Sequence, residues 1–379
     1  MNVTFVGAVT SPLSKENPLI RKLQERIRAS GAITFRDWMA VALYDSKRGY
    51  YCSPGIARWG RKGDYRTSPE RSVLFAATFA RYFAELYRKV ASPDRWNVVE
   101  AGAGAGDFAL GLLENLQKRS PEVSRITRYV IDEKSDDSRR VLRERLRSFD
   151  AQVEYAPIDS LTSIDPGIIF ANELLDAFPV HRVTMSEGEL REFYVVLDDK
   201  GEFTWQRGPL SCERLAQHLK RPELHLAESQ VAEVNLEIED WLGLVASKLS
   251  KGYLILVDYG AEASLLYNAR SRSRGTLRSF YRHQFVENVL ANPGQQDITT
   301  TIDWTWVKEV SQKLGFTVVQ FEVQDQFLMG AGILDELELL SDEVENEAEK
   351  VKLRFHAREM ILPAGMAESY QVLVLSKGI

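Results

Sequence analysis

Residues 97–119 constrain the fold more than any other stretch. The apolar run Asn97-Val98-Val99-Glu100 leads into Gly102, Gly104 and Gly106, spaced i, i+2 and i+4, and DFALGLLENLQKR then continues with helical periodicity. A strand that turns on glycines directly into a helix opens a βαβ unit. Glycine at such a turn lets the backbone bend tightly and come close to a ligand.

The same alternation continues downstream. YVIDE reads as a second strand and SDDSRRVLRERLRSF as a second helix, with Leu142, Leu146 and Phe149 buried and five arginines on a solvated face. GIIFANELLDAFPV is a third apolar strand running into a loop and short helix. VAEVNLEIEDWLGLVASKLS reads as a helix ahead of the strand YLILVDYG. This pattern predicts an α/β protein with a parallel, Rossmann-like doubly wound sheet covered on both faces. Before it, LIRKLQERIRAS and FRDWMAVALY read as amphipathic helices, the second capped by Thr34 and Asp37, and a long aromatic-rich loop spans Asp45 to Glu70. Residues 182–210 alternate like an antiparallel ribbon, residues 261–303 form a polar insertion, and residues 316–379 read strand, acidic helix, strand. The expected division is an N-terminal helical cap at 1–94 and a core at 95–379, with insertions at about 182–230 and 261–303.

The ligand is constrained by two acids. A dinucleotide turn normally reads G-x-G-x-x-G, with pyrophosphate on the helix N-terminus. Here the third glycine slot is Asp107, a carboxylate aimed at where a phosphate would lie. Glu133 ends the next strand, 27 residues after Gly106, where a doubly wound sheet presents an acid to ribose hydroxyls. A ligand with ribose, no phosphate and a positive centre fits; S-adenosyl-L-methionine is one. The competing reading is a flexible loop with Glu133 as a surface acid.

Composition removes other classes. With 48 Lys+Arg against 54 Asp+Glu, the net charge of -6 argues against a nucleic-acid binder. Cys52 and Cys212 lie far apart, and His181, His218, His225 and His356 have no ligand spacing, so no metal site is expected. Apolar runs are too short for membrane insertion. The first residues lack a positive region ahead of an apolar one, so the expected location is the cytoplasm.

At this point the chain resembles the MidA-like proteins, the bacterial and mitochondrial complex I assembly-factor methyltransferases. The match is carried by G-D-Y-R-T-S-P-E (Gly63–Glu70), VVEAGAGAGD (98–107), N-E-L-L-D-A-F-P-V (Asn172–Val180), VDYG (257–260), GTLRSFYRH (275–283) with DITTTID (297–303), and Gly330-Ala331-Gly332-Ile333. The resemblance covers residues 19–378 or so. It implies a class I S-adenosylmethionine-dependent methyltransferase fold, protein arginine methylation, a respiratory NADH dehydrogenase (complex I) subunit as acceptor, and a homodimer. Ala103, Ala105 and Asp107 stand where the family's turn carries Pro, Arg and Thr.

Site residues follow from the two lines together. Glu100, Gly102, Gly104, Gly106, Glu133 and Asn172 are the expected cofactor residues. The resemblance adds Asp64, Thr67, Ser68 and Glu70, on a Pro-stiffened loop acting as a lid; Thr67 or Ser68 before Pro69 also reads as an ordinary helix start. Asn172, Glu173 and Asp176 follow the third strand at its carboxyl end, where open α/β sheets bind ligands. Arginine stays protonated, so methylating it requires carboxylates that hold the guanidinium and accept a proton. Glu173 and Asp176 suit that task; two acids opening a helix also simply offset its dipole. His283 is a candidate general base or substrate contact, or a surface residue. The alternatives to a protein methyltransferase are a non-catalytic assembly protein keeping the fold, motivated by Ala103, Ala105 and Asp107, and a small-molecule methyltransferase.

Overall fold

One short strand of the eight-stranded central sheet, Ile302–Asp303, pairs with the end of Gly252–Ala261, and seven form its main path: β1 (Trp96–Ala101), β2 (Thr127–Asp132), β3 (Val153–Tyr155), β4 (Gly167–Asn172), β5 (Gly252–Ala261), β6 (Thr317–Val323) and β7 (Tyr370–Lys377). They lie in the order β3-β2-β1-β4-β5-β7-β6 in a computed structural model that describes residues 17–54, 56, 58, 72–281, 284–362 and 370–379. All run parallel except β7, which is antiparallel to both its neighbours. The chain reverses its direction of winding between β1 and β4, so the crevice for a ligand opens at the carboxyl ends of those two strands.

The sheet is covered on both sides. Helices α1 (Pro18–Ser30) and α2 (Phe35–Tyr44) precede it; α3 (Val73–Lys89), α4 (Asp107–Arg119) and α5 (Asp136–Arg145) pack on one face, and α6 (Glu237–Lys248) and α7 (Trp304–Lys313) on the other. On the first face Phe108 lies flat on Phe170 with ring centroids 4.1 Å apart, and Phe75, Phe79 and Phe83 close round them. Each such buried ring stabilises the fold by roughly 2–3 kcal/mol. The central strands β1, β4 and β5 are buried on both faces for this reason.

Both N-terminal helices form as their periodicity requires. Asn17 and Thr34 cap them, each side chain accepting a backbone N–H, and Leu19, Leu23, Ile27, Phe35 and Trp38 are buried. They pack on an antiparallel ribbon of His181–Ser186, Glu189–Leu197 and Phe203–Gly208. Helix α3, on the N-terminal side of residue 94, buries its apolar face in the sheet's own core.

Three sequence readings change. Val231–Val234 is a strand, paired antiparallel with His181–Thr184, and α6 begins only at Glu237. The ribbon's free edge takes an apolar segment that local periodicity assigns to the helix. Two of the five arginines on 139–147 are not simply solvated: Arg145 pairs with Asp107, and Arg139 donates to the Glu133 carbonyl. In the acidic stretch after Asp335, Glu336 is buried between Arg119 and Arg81.

Candidate active site

A cavity of about 760 Å³ opens at the switch point. Its floor is the glycine turn. Gly102 and Gly104 line it with φ of +76° and +55°, the left-handed region that favours glycine. A Cβ on Gly102 would come within 3.0 Å of the Leu174 side chain. Gly106 serves differently: it is the left-handed N-cap of α4, and a Cβ there would meet Leu142 Cδ2 at 2.5 Å. It is not among the cavity's lining residues.

Glu133 stands at the end of β2 as expected. Its carboxylate accepts from Gly104 N at 3.3 Å and Ser135 N at 2.8 Å, tying the turn to the next strand. Glu100 lies beneath the turn, 4% exposed, and accepts from the Tyr129 hydroxyl at 2.6 Å. Burial pushes the Glu100 carboxyl up to about 7, against the pull of that hydrogen bond. Asp107 lines the cavity but is neutralised by Arg145, whose guanidinium also donates to the Ala105 carbonyl. Asp107 therefore repels a phosphate less than its position in the sequence suggests.

Asn172 ends β4 and Glu173 follows it. Glu173 N donates to Val257 O at 2.8 Å, the last ladder bond of β4 with β5, and the chain then leaves the sheet with Glu173 at φ of +52°. Non-glycine residues held in that region cost about 1–3 kcal/mol and concentrate at functional sites. Its carboxylate accepts from Asn172 Nδ2 at 3.2 Å and from the Tyr370 hydroxyl at 3.1 Å. Asn172 Oδ1 and Asp176 Oδ1 are buried without a direct hydrogen-bond partner, two orphaned acceptors on the cavity wall.

The structure thus brings Glu100, Gly102, Gly104, Glu133, Asn172, Glu173 and Asp176 to one cavity. Asp64, Thr67, Ser68, Glu70 and His283 lie outside the described residues. Sequence reasoning missed several lining residues: Tyr44 and Tyr51 from the N-terminal segment, Tyr259 at the end of β5, Arg278 in the second insertion, and Tyr370 on β7. Tyr51 donates to Asp297 Oδ1 at 2.6 Å, and Tyr44 stacks on Tyr51 with centroids 5.4 Å apart. Behind them Asp258, fully buried, accepts from the backbone of Leu175, Asp176 and Tyr259 at 3.0, 3.3 and 2.9 Å. Asp258, Tyr259 and Arg278 sit inside the VDYG and GTLRSFYRH segments, which was the available signal. No group of three His, Cys, Asp or Glu among the described residues could hold a metal ion.

Glycine turn, acid at the end of the second strand and orphaned acceptors at the switch point fit a nucleoside with an amino-acid arm. Fold and site together define a class I S-adenosylmethionine-dependent methyltransferase. Residues 78–322 match the model of a family of S-adenosyl-L-methionine-dependent methyltransferases, Methyltransf_28, and the chain belongs to that family. A crystal structure of a COG1565 superfamily member from Burkholderia thailandensis bound to S-adenosyl-homocysteine is 29% identical, superposes with a TM-score of 0.86, and covers 98% of this chain and 95% of that one. The mitochondrial protein arginine methyltransferase NDUFAF7 of Rattus norvegicus is 24% identical, over 94% of this chain and 84% of its own length. The Caenorhabditis elegans homolog is 27% identical, over 77% of this chain and 71% of its own length.

These names correct the expectation of a cytoplasmic protein. The relatives are named as mitochondrial proteins, so the reading of the first residues does not assign a cytoplasmic location. No helix among the described residues is long and apolar enough to cross a membrane.

Proposed function

We propose that the chain transfers a methyl group from S-adenosylmethionine to an arginine side chain of a protein. The observation that carries this reading is the placement of Glu173 and Asp176, two acids at the carboxyl end of β4, in the same cavity as the glycine turn. Relatives named protein arginine methyltransferases support it. The resemblance to complex I assembly-factor methyltransferases makes a respiratory NADH dehydrogenase subunit the acceptor to test first.

S-adenosylmethionine, when bound, supplies the methyl group, and the electron pair of the breaking C–S bond stays on sulfur as the N–C bond forms. Gly102 and Gly104 would give the backbone room beside it, Glu133 would accept from the ribose hydroxyls, and Glu100 with Asn172 would offer acceptors to its polar groups. Glu173 and Asp176 hold the acceptor guanidinium by charge-assisted hydrogen bonds and orient one nitrogen. The Tyr370 hydroxyl fixes the Glu173 carboxylate. Asp176, with its open buried oxygen, receives the proton that the guanidinium loses once the N–C bond has formed.

The test is incubation of the purified protein with methyl-labelled S-adenosylmethionine and an extract from cells lacking its gene. A labelled protein band that yields methylarginine on hydrolysis is expected. A label confined to small molecules, or no label despite cofactor binding, would overturn the reading in favour of a small-molecule enzyme or a non-catalytic assembly protein.

A further inference from the structure

Two buried acids, Asp176 and Asp258, meet beside the cavity. Asp258 is 1% exposed and Asp176 4%. The backbone N–H of Asp176 donates to the Asp258 carboxylate at 3.3 Å, a contact between the segment after β4 and β5. Neighbouring carboxyls in a low dielectric cannot both ionise cheaply; one keeps a proton unless a cation offsets the charge. The groups facing Asp176 are few. From β5 come Asp258 and the Tyr259 hydroxyl, from α2 Tyr44, and from β7 Tyr370. Glu173 and Asp297 add negative charge nearby. Arg278 is the cation whose charge acts on Asp176.

Arg278 is built into this place. It lies on the strand Arg278–Tyr281, paired with Asp297–Thr299, and so hangs from the insertion rather than from the sheet. Its guanidinium covers the Tyr259 ring, 4.5 Å from the centroid, and donates to Thr301 Oγ1 at 3.3 Å. Tyr259 belongs to β5 itself. Nothing in holding the insertion together requires a guanidinium to line the cavity, yet Arg278 does.

We propose that Arg278 is a positioning residue whose fixed charge favours the carboxylate form of Asp176 over that of Asp258, so that Asp176 meets the acceptor as a carboxylate. This rests on the reading of Asp176 as the proton acceptor. Burial and the neighbouring Asp176 push Asp258 well above the usual carboxylate range, while the Arg278 charge opposes the effect of burial on Asp176. With a neutral residue at 278, the pair would hold its protons to higher pH, and an arginine of an acceptor would meet a neutral acid.

The experiment is a pH titration of the full-length protein with carboxyl-labelled aspartate, followed by isotope-edited infrared spectroscopy. The Asp176 signal is identified by its loss in Asp176→Asn. In Arg278→Met its midpoint should rise by about one pH unit or more, the size expected for loss of an opposite charge. In Arg278→Lys it should stay near the parent value. An unchanged midpoint in Arg278→Met would overturn the proposal, and so would an Arg278→Lys variant that behaves like it. Circular dichroism checks that each variant folds, and Arg278→Gln replaces Arg278→Met if that one does not. The acid limb of labelled methyl transfer should move with the midpoint. If the parent protein labels no arginine, the functional reading fails while the infrared midpoint still decides the role of Arg278.

Discussion

Tyr129 donates its hydroxyl to Glu100 at 2.6 Å, and both side chains are closed off beneath the glycine turn. With the Glu100 carboxyl raised from 4.5 to about 7, the folded protein binds a proton there that the unfolded chain has already released. Stability from this group is therefore full below about pH 4.5 and falls as pH rises through 7. The Glu100→Gln variant should lose that dependence and gain up to about 3 kcal/mol at pH 8. Thermal melting of both proteins between pH 5 and pH 8 checks it; parallel curves would show that Glu100 does not titrate with folding.

Gly104→Val should abolish S-adenosylmethionine binding while leaving the far-ultraviolet circular dichroism intact. The residue has φ of +55° and lines the cavity, so a branched side chain meets both a backbone penalty and the ligand's space. Calorimetry with the cofactor is the measurement, and normal binding would remove the turn from the site.

Gly106→Ala should behave in the opposite way. The new Cβ would press on Leu142 Cδ2 at 2.5 Å, in a left-handed residue, at a position the cavity does not reach. A loss of about 2–4 kcal/mol in urea unfolding is expected. Cofactor affinity in the folded fraction should change little.

Tyr370→Phe frees one Glu173 oxygen from its hydroxyl donor. A hydrogen bond to a charged group contributes about 1.5–3 kcal/mol, so methyl transfer should fall roughly 10- to 100-fold with cofactor affinity unchanged. An equal loss of cofactor affinity in calorimetry would place Glu173 at the cofactor rather than at the acceptor.

The glycine-turn side of the cavity was legible because its signals are local. Three glycines after a strand and an acid ending the next strand are set by the βαβ unit itself, and Glu100, Gly102, Gly104 and Glu133 all reach the cavity. Glu173 and Asp176 were legible because the carboxyl end of a parallel strand is a fixed place in the fold. Tyr44, Arg278 and Tyr370 were not, since they come from residues more than 90 positions apart that only tertiary packing unites. The misassigned segment Val231–Val234 has the same cause: its partner strand, His181–Thr184, lies about 50 residues upstream. The charge of Asp107 misled because Arg145, which cancels it, sits on a different helix.

Asp297, Thr299 and Arg278 all belong to one excursion of the chain beyond the sheet, the three-stranded insertion. The glycine turn and its acids belong to the sheet. Such a division makes the two halves separable by design: the excursion can be exchanged while every strand of the main sheet path stays in place. Grafting the excursion from one relative onto another therefore asks whether it selects the acceptor.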